Sequence, residues 1–139
     1  MVQIIAGKMG KGKTKFLLEK ANVAVKECKG SLVYLDKNTK NMHELDNKVR
    51  LINVYDYPIR SYNAFIGFLC GIISQDYDLE YLFLDSFLKI SKAEDEELAG
   101  VLERLDAMGK KYGVSFVVSL SKDEKDLPEC AKDMVLLSL

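Results

Sequence analysis

The residues with the clearest chemistry lie in one short segment near the start of the chain. Residues 7–14 read Gly-Lys-Met-Gly-Lys-Gly-Lys-Thr, with three glycines and three lysines in eight positions. Glycines let the backbone curl so that successive N–H groups point inward, and such a concavity binds anionic oxygens. The spacing matches G-x-x-x-x-G-K-[ST], the phosphate-binding P-loop, in which Lys13 reaches the β- and γ-phosphates and the Thr14 hydroxyl ligates Mg²⁺. The segment therefore predicts binding of a nucleoside triphosphate with magnesium.

The segments on either side of this motif are those that a P-loop needs. A β-rich run over 2–6 leads in, and a helical pattern over 13–28 leads out. The N-terminus of that helix adds free N–H groups and its dipole to the same place. The residues predicted to contact the nucleotide are Gly7, Lys8, Met9, Gly10, Lys11, Gly12, Lys13, Thr14 and Lys15. Lys8, Lys11 and Lys15 could equally be solvated surface charges.

A carboxylate that could complete the phosphate site follows roughly 70 residues later. The run Leu-Glu-Tyr-Leu-Phe-Leu over 79–84 ends in Asp85. Nucleotide-bound magnesium is held by such an aspartate at the end of a buried strand, the Walker B position. Open α/β sheets place their ligands at the carboxyl ends of the strands. We therefore predict that Thr14 and Asp85 hold the metal, with ATP and Mg²⁺ as the cofactors.

Strand and helix patterns alternate along the whole chain and must position these residues. Candidate strands are 2–6, 31–36, 50–55, 80–85, 114–120 and 134–138. Several are continuous apolar runs, which are typical of parallel strands covered on both faces. Such alternation with short connections predicts an α/β fold, a three-layer α/β/α sandwich with a mainly parallel sheet.

Three helices are predicted between these strands. The first spans 13–28, and the second, over 61–74, is apolar nearly all round. The third is expected to start at a capping box, Ser91 to Glu94, and to bury a stripe of period 3.6 that runs from Leu98 to Tyr112. A further short helix is predicted within 38–47. The apolar second helix is expected to be buried, or alternatively to offer a partner-binding face.

Composition limits the classes of protein to consider. With 139 residues and 48% hydrophobic content, the chain suits one P-loop domain over 1–139. A net charge of −1 gives no sign of a nucleic-acid partner. The most apolar stretch, 64–73, is about half as long as a membrane span. Three widely spaced cysteines and the lack of a secretion signal predict a cytoplasmic location.

Taken in order, these motifs resemble the P-loop NTPase superfamily and, within it, a reduced RecA-like ATPase core. The resemblance covers nearly the whole chain, including Asp36 after the second strand, Leu84-Asp85-Ser86, and a later strand that ends Ser119-Leu120-Ser121. The chain is also similar to short stand-alone bacterial P-loop proteins labelled as twitching-motility (PilT-like) proteins. The resemblance implies a sheet order in which the first strand lies between strands 134–138 and 114–120. Strand 80–85 then follows outward, next 31–36, and finally 50–55 at the edge.

The resemblance also identifies a departure that concerns hydrolysis. Hydrolytic members of the superfamily carry a glutamate that orients the attacking water, either beside the Walker B aspartate or just beyond the second strand. This chain has Ser86 at the first place and Lys37-Asn38 at the second. Asp36 is the only carboxylate close enough by sequence to substitute as the base, although it could equally cap the next turn.

Two serines at the end of a later strand are candidates for sensing the γ-phosphate. Ser119 and Ser121 follow the strand expected beside the P-loop strand, although a local hydrogen bond is an equal alternative for each. The residues predicted to take part in catalysis are therefore Lys13, Asp36, Asp85 and Ser119. No arginine lies near the motifs, so any arginine finger would come from a protein partner or from another subunit of a homo-oligomer.

The motifs that the chain lacks limit the choice of nucleotide and of function. The N-K-x-D motif that reads guanine is absent, which favours ATP over GTP. One hypothesis is a slow or partner-activated ATPase. Another is a nucleotide-binding regulatory or assembly module without significant hydrolysis. A small-molecule kinase is less favoured, because the chain has no arginine-rich lid and little room for an acceptor site.

Overall fold

Six parallel strands form the centre of the structure, a computed structural model that describes residues 1–139. The strands are β1 (Val2–Ala6), β2 (Ser31–Asp36), β3 (Arg50–Asn53), β4 (Leu79–Leu84), β5 (Ser115–Leu120) and β6 (Val135–Ser138). The helices are α1 (Lys13–Glu27), α2 (Tyr62–Ser74), α3 (Phe87–Ser91), α4 (Leu98–Tyr112) and α5 (Glu129–Lys132). The α/β class predicted from the alternating pattern is confirmed, and most strand bounds agree within one or two residues.

The order of the strands across the sheet is β3-β2-β4-β5-β1-β6, and every neighbouring pair is parallel. This is the predicted order, with β1 between β5 and β6. Strand β4, which Asp85 directly follows, is separated from β1 by β5. All strands present their carboxyl ends to one edge of the sheet, so the loops that carry the candidate site meet there.

Helices cover both faces of the sheet, which explains the continuous apolar strands. Ile4 belongs to the core beneath α2 and α4, whereas its neighbour Ile5 belongs to the core beneath α1. Successive side chains of a strand point to opposite faces, so a strand covered twice needs apolar residues at consecutive positions. The three layers are therefore helices, sheet and helices, as predicted.

The start of α4 differs from the prediction. Ser91 is the last residue of α3, and its hydroxyl accepts a hydrogen bond from the Ala93 amide at 3.2 Å. The capping box is formed instead by Glu94 and Glu97, where the Glu94 amide donates to Glu97 Oε1 at 2.8 Å. The prediction was wrong because Ser91 already belongs to a short helix that the sequence pattern did not reveal.

Of two smaller predictions about helices, one needs correction and the other is confirmed. Tyr112 ends the stripe of α4 as an exposed residue (47%), because the helix terminates at once at left-handed Gly113. The short helix predicted within 38–47 is present as a single 3₁₀ turn, Met42–Glu44.

Helix α2 is buried on one side and exposed on the other. Its inner side presents Phe65, Ile66, Leu69 and Ile72 to the core. Its outer side presents the two glycines 67 and 71, so the helix is less apolar outward than its composition suggested. No helix in the chain combines the length and the apolar composition that crossing a bilayer requires.

Gly30, in the turn between α1 and β2, supplies a test of this packing. A Cβ at this position would lie 1.8 Å from the backbone oxygen of Asp78, which also accepts the Ser31 amide in front of the β2–β4 pairing. We expect Gly30→Ala to lower the free energy of unfolding by about 2–3 kcal/mol, because backbone must move to admit the methyl group. Urea denaturation measures this loss.

A matched variant separates crowding from the general effect of adding a methyl group. Gly100 lies on the exposed side of α4, and a Cβ there meets nothing within 4 Å. Gly100→Ala should leave stability unchanged or raise it by about 0.5–1 kcal/mol, since alanine restricts the unfolded chain. Equal stability of the two variants would contradict the close approach at Gly30.

Candidate functional site

The loop between β1 and α1 has the backbone that its glycines predict. Gly10 and Gly12 both adopt φ of 87°, in the left-handed region that favours glycine. The N–H groups of Gly10, Gly12, Lys13 and Thr14 have no acceptor within the protein. Unpaired N–H groups at the start of a helix form a site for an anion. The loop therefore offers several donors to an oxygen-rich ligand.

Lys13 holds a buried ammonium group within this loop. The residue is only 8% exposed, and Nζ donates a hydrogen bond to the carbonyl oxygen of Lys8 at 3.0 Å. Burial lowers the pKa of Lys13, while the negative charge of Asp85 acts in the opposite direction. An ammonium group has three N–H donors, and here only one of them is used within the protein. Lys13 can thus add charge-assisted hydrogen bonds to a phosphate.

Asp85 lies at the end of β4 as the centre of a hydrogen-bond network. Its Oδ1 accepts from Thr14 Oγ1 at 3.3 Å, from Ser119 Oγ at 2.7 Å and from the Ser86 amide at 2.9 Å. Its Oδ2 accepts from the Tyr34 hydroxyl at 2.8 Å. The carboxylate is 2% exposed. Four donors therefore hold it in one position beside the glycine-rich loop.

Tyr34 is a site residue that the motifs did not identify. It lies in the middle of β2, fully buried, with its ring stacked on Phe83 at a centroid distance of 6.0 Å. Burial and the neighbouring Asp85 raise the pKa of the Tyr34 phenol far above its ordinary value, so the group stays an O–H donor. A phenol inside an otherwise apolar strand requires a buried partner, but the sequence does not say which one.

Ser119 and Ser86 support the same carboxylate. Ser119 Oγ donates to Asp85 and also accepts from the Ser86 amide at 2.9 Å. Ser86 adopts φ of 54°, a left-handed conformation that costs about 1 kcal/mol for a residue other than glycine. The hydrogen bonds of Ser119 are therefore not local in sequence, and Ser119 positions Asp85 in this structure. Ser121 is exposed at the cavity edge.

Asp36 lies near Asp85 at the end of β2. It is 4% exposed, and its Oδ1 accepts from the Lys37 amide at 2.7 Å. Burial raises the pKa of the Asp36 carboxyl, and the charge of Asp85 raises it further. Asp36 therefore holds the backbone of the next turn and also has a place in the candidate site. A buried carboxylate with a raised pKa has the property that a general base needs.

These side chains surround one cavity of about 460 Å³. The predicted site residues that line it are Met9, Gly10, Gly12, Lys13, Thr14, Asp36, Asp85 and Ser119. Gly7 is buried beneath the loop, where a Cβ would lie 3.1 Å from Cβ of Leu139. The side chains of Lys8, Lys11 and Lys15 do not line the cavity, and Lys8 pairs with Asp123 at 3.4 Å. The reading of these three lysines as surface charges fits their positions.

The cavity lining carries more positive than negative charge. Its lysines are Lys13, Lys37, Lys40 and Lys89, and its only carboxylates are Asp36 and Asp85. None of the four lysines forms an ion pair with a carboxylate. Lysines 37, 40 and 89 belong to no motif, and only the folded chain brings them to this place. A cavity with unpaired ammonium groups favours an anionic ligand.

The residues fit a magnesium ion that arrives with a phosphate. The Thr14 hydroxyl and the Asp85 carboxylate, 3.3 Å apart, are hard oxygen donors of the kind that Mg²⁺ prefers. The chain has no cluster of three or more histidine, cysteine or acidic side chains that could hold a metal by itself. Magnesium is commonly bound through one or two carboxylates together with substrate phosphates and water. The two residues match that mode of binding in the chemistry of their oxygen donors.

Comparison with known proteins assigns no family to this chain. No family model matches the sequence, and no curated protein matches it. The chemistry and geometry of the cavity therefore carry the functional conclusion.

Proposed function

We propose that this chain binds ATP with Mg²⁺ and is a slow or partner-activated ATPase. The supporting observation is that the glycine-rich loop, the buried Lys13 and the network around Asp85 line one cavity with excess positive charge. Each of these features suits a polyphosphate, and a P-loop motif specifies a nucleotide. Without a guanine-reading motif, ATP is the favoured nucleotide.

The chain's residues have distinct roles in this proposal. The loop N–H groups and Lys13 bind the β- and γ-phosphates. Thr14 and Asp85 hold Mg²⁺, which neutralises developing charge on the phosphate oxygens when it is bound. In hydrolysis, a water oxygen forms a bond to the γ-phosphorus while the bond from that phosphorus to the departing ADP oxygen breaks. Asp36 is the carboxylate available to accept the proton of that water.

One observation favours binding without significant hydrolysis as the second candidate function. The cavity lining contains neither a glutamate nor an arginine. ATPases use such groups to orient water and to stabilise charge in the transition state. A regulatory or assembly module would need only binding, whereas an ATPase would acquire the missing groups from a protein partner or a second copy of the chain.

Replacing the buried lysine tests the assignment directly. Lys13→Ala should weaken binding of a non-hydrolysable ATP analogue with Mg²⁺ by about 1.5–3 kcal/mol, because charge-assisted phosphate contacts are lost. Isothermal titration calorimetry measures both affinities. Lys26→Ala removes the same charge from the exposed far end of α1 and should bind like the wild type.

The same titrations decide between nucleotides. GTP analogue should bind more weakly than ATP analogue if the proposed preference is correct. Equal binding by wild type and Lys13→Ala would refute the P-loop assignment altogether.

A further inference from the structure

Two of the lysines that line the cavity, Lys37 and Lys89, are neighbours of each other. Lys37 directly follows β2, and Lys89 lies in α3, after the strand that ends at Asp85. Both side chains line the cavity, yet neither forms an ion pair with a carboxylate. They come from separate elements and meet only through the fold.

The two ammonium groups are close enough to affect each other. The neighbouring Lys89 is the main cause of a lowered pKa at Lys37, followed by burial, while Asp36 acts in the opposite direction. Like charges held together disfavour the charged state of each. Lys92, three residues beyond Lys89, does not line the cavity and lies 4.5 Å from the ring centre of Tyr55.

The position of the pair along the cavity indicates which anion it would bind. Strand β2 is the third strand from β1, about 14 Å away at ordinary strand spacing. Asp85 directly follows β4, which lies between β1 and β2 in the sheet order, so Asp85 lies between the P-loop and Lys37. A phosphate chain that starts on the P-loop and shares a metal with Thr14 and Asp85 would extend toward Lys37 and Lys89.

We propose that Lys37 and Lys89 bind the terminal phosphate of a nucleoside triphosphate and so distinguish a triphosphate from a diphosphate. This inference rests on the proposed nucleotide-binding function. The lysine pair supplies positive charge at the γ-phosphate from within the chain. The pair is a specificity determinant, because a diphosphate bound to the P-loop would leave it without a partner.

The test compares two ligands across three proteins. Isothermal titration calorimetry measures Mg·ADP and a Mg-bound non-hydrolysable ATP analogue with the wild type, with Lys37→Ala/Lys89→Ala and with Lys92→Ala. The double variant should lose affinity for the ATP analogue by roughly 10-fold or more, while its affinity for ADP changes by less than about threefold. Lys92→Ala, which removes a nearby exposed charge, should keep the wild-type ratio. Thermal melting verifies that all three proteins are folded.

The possible outcomes separate this inference from the function on which it rests. If the wild type binds both nucleotides and the double variant keeps the wild-type ratio, the lysine pair does not read the terminal phosphate. An equal loss of both affinities would mean a general electrostatic effect and would also overturn the inference. If the wild type binds neither nucleotide, the proposed function itself is wrong. A Lys37→Arg/Lys89→Arg variant should retain the preference, since both charges remain.

Discussion

Purified in isolation, the chain is expected to hydrolyse ATP at a rate far below one turnover per second. The cavity supplies charge and position through Lys13, Thr14 and Asp85, but its lining contains no glutamate and no arginine. An arginine finger supplied by a partner is worth about 10³–10⁵ in rate in related phosphoryl-transfer systems. Lys37 and Lys89 add charge without the planar, two-pronged contact of a guanidinium group.

Phosphate release at saturating Mg·ATP measures this rate, with Lys13→Ala as the control for contaminating ATPases. Several turnovers per second by the monomer would show that the chain holds a competent base of its own. In that case Asp36→Asn identifies the base, because an amide cannot take a proton from water. Acceleration by a second copy of the chain would appear as a rate per molecule that rises with protein concentration.

The second prediction with a large expected effect concerns the free energy of unfolding when Asp85 is replaced. Asp85→Ala should lower the free energy of unfolding by about 3–5 kcal/mol in the absence of nucleotide. The substitution leaves the hydroxyls of Tyr34, Thr14 and Ser119 and the Ser86 amide without their common acceptor. Asp85→Asn keeps the shape and part of the accepting capacity, so its loss should be smaller. Urea denaturation gives the free energy of unfolding of both variants, which can be compared when their free energies depend on urea concentration with the same slope. A loss below about 1 kcal/mol for Asp85→Ala would contradict the central role of this carboxylate.

Replacing Asp36, which lies in the same cavity, should raise the stability of the protein rather than lower it. Its folded-state pKa is raised above the ordinary aspartate value of 3.8, mainly by burial. The folded protein therefore binds this proton more tightly than the unfolded chain does, and stability falls as pH rises from about 4 through the raised pKa. Asp36→Asn removes this penalty. The variant should melt above the wild type at neutral pH, and the difference should shrink as pH approaches 4.

The parts of the fold that follow from local patterns were predictable from the sequence. Continuous apolar strands indicated a sheet covered on both faces, and the glycines of the P-loop indicated its left-handed turns. The strand order was predicted from the RecA-like resemblance, because an apolar pattern alone does not indicate which parallel strands are neighbours in the sheet. The pairing of β4 with β5 and of β5 with β1 confirms that order.

Other parts depend on contacts between distant segments and were not predictable. Tyr34 and Asp85 are 51 residues apart, and nothing in either strand indicates that one donates to the other. Lys37 and Lys89 lie in unrelated segments that only the fold brings together. The capping box at Glu94 was misplaced because Ser91 satisfied the same pattern while belonging to α3. Local sequence patterns therefore located the glycine-rich loop, whereas the side chains around it could be identified only from the tertiary structure.

The place of β1 in the sheet has a consequence for how the fold forms during synthesis. Val2 pairs with Phe116 and Ile4 with Val135, so both neighbours of β1 are translated more than 110 residues after it. The glycine-rich loop is synthesised before β5 and β6, so its strand β1 has neither of its neighbours until they emerge. Contacts of such long sequence separation form slowly. The sheet that supports the loop is therefore complete only after translation has passed β5 and β6, and a ligand of the cavity can stabilise the protein by mass action only from then on.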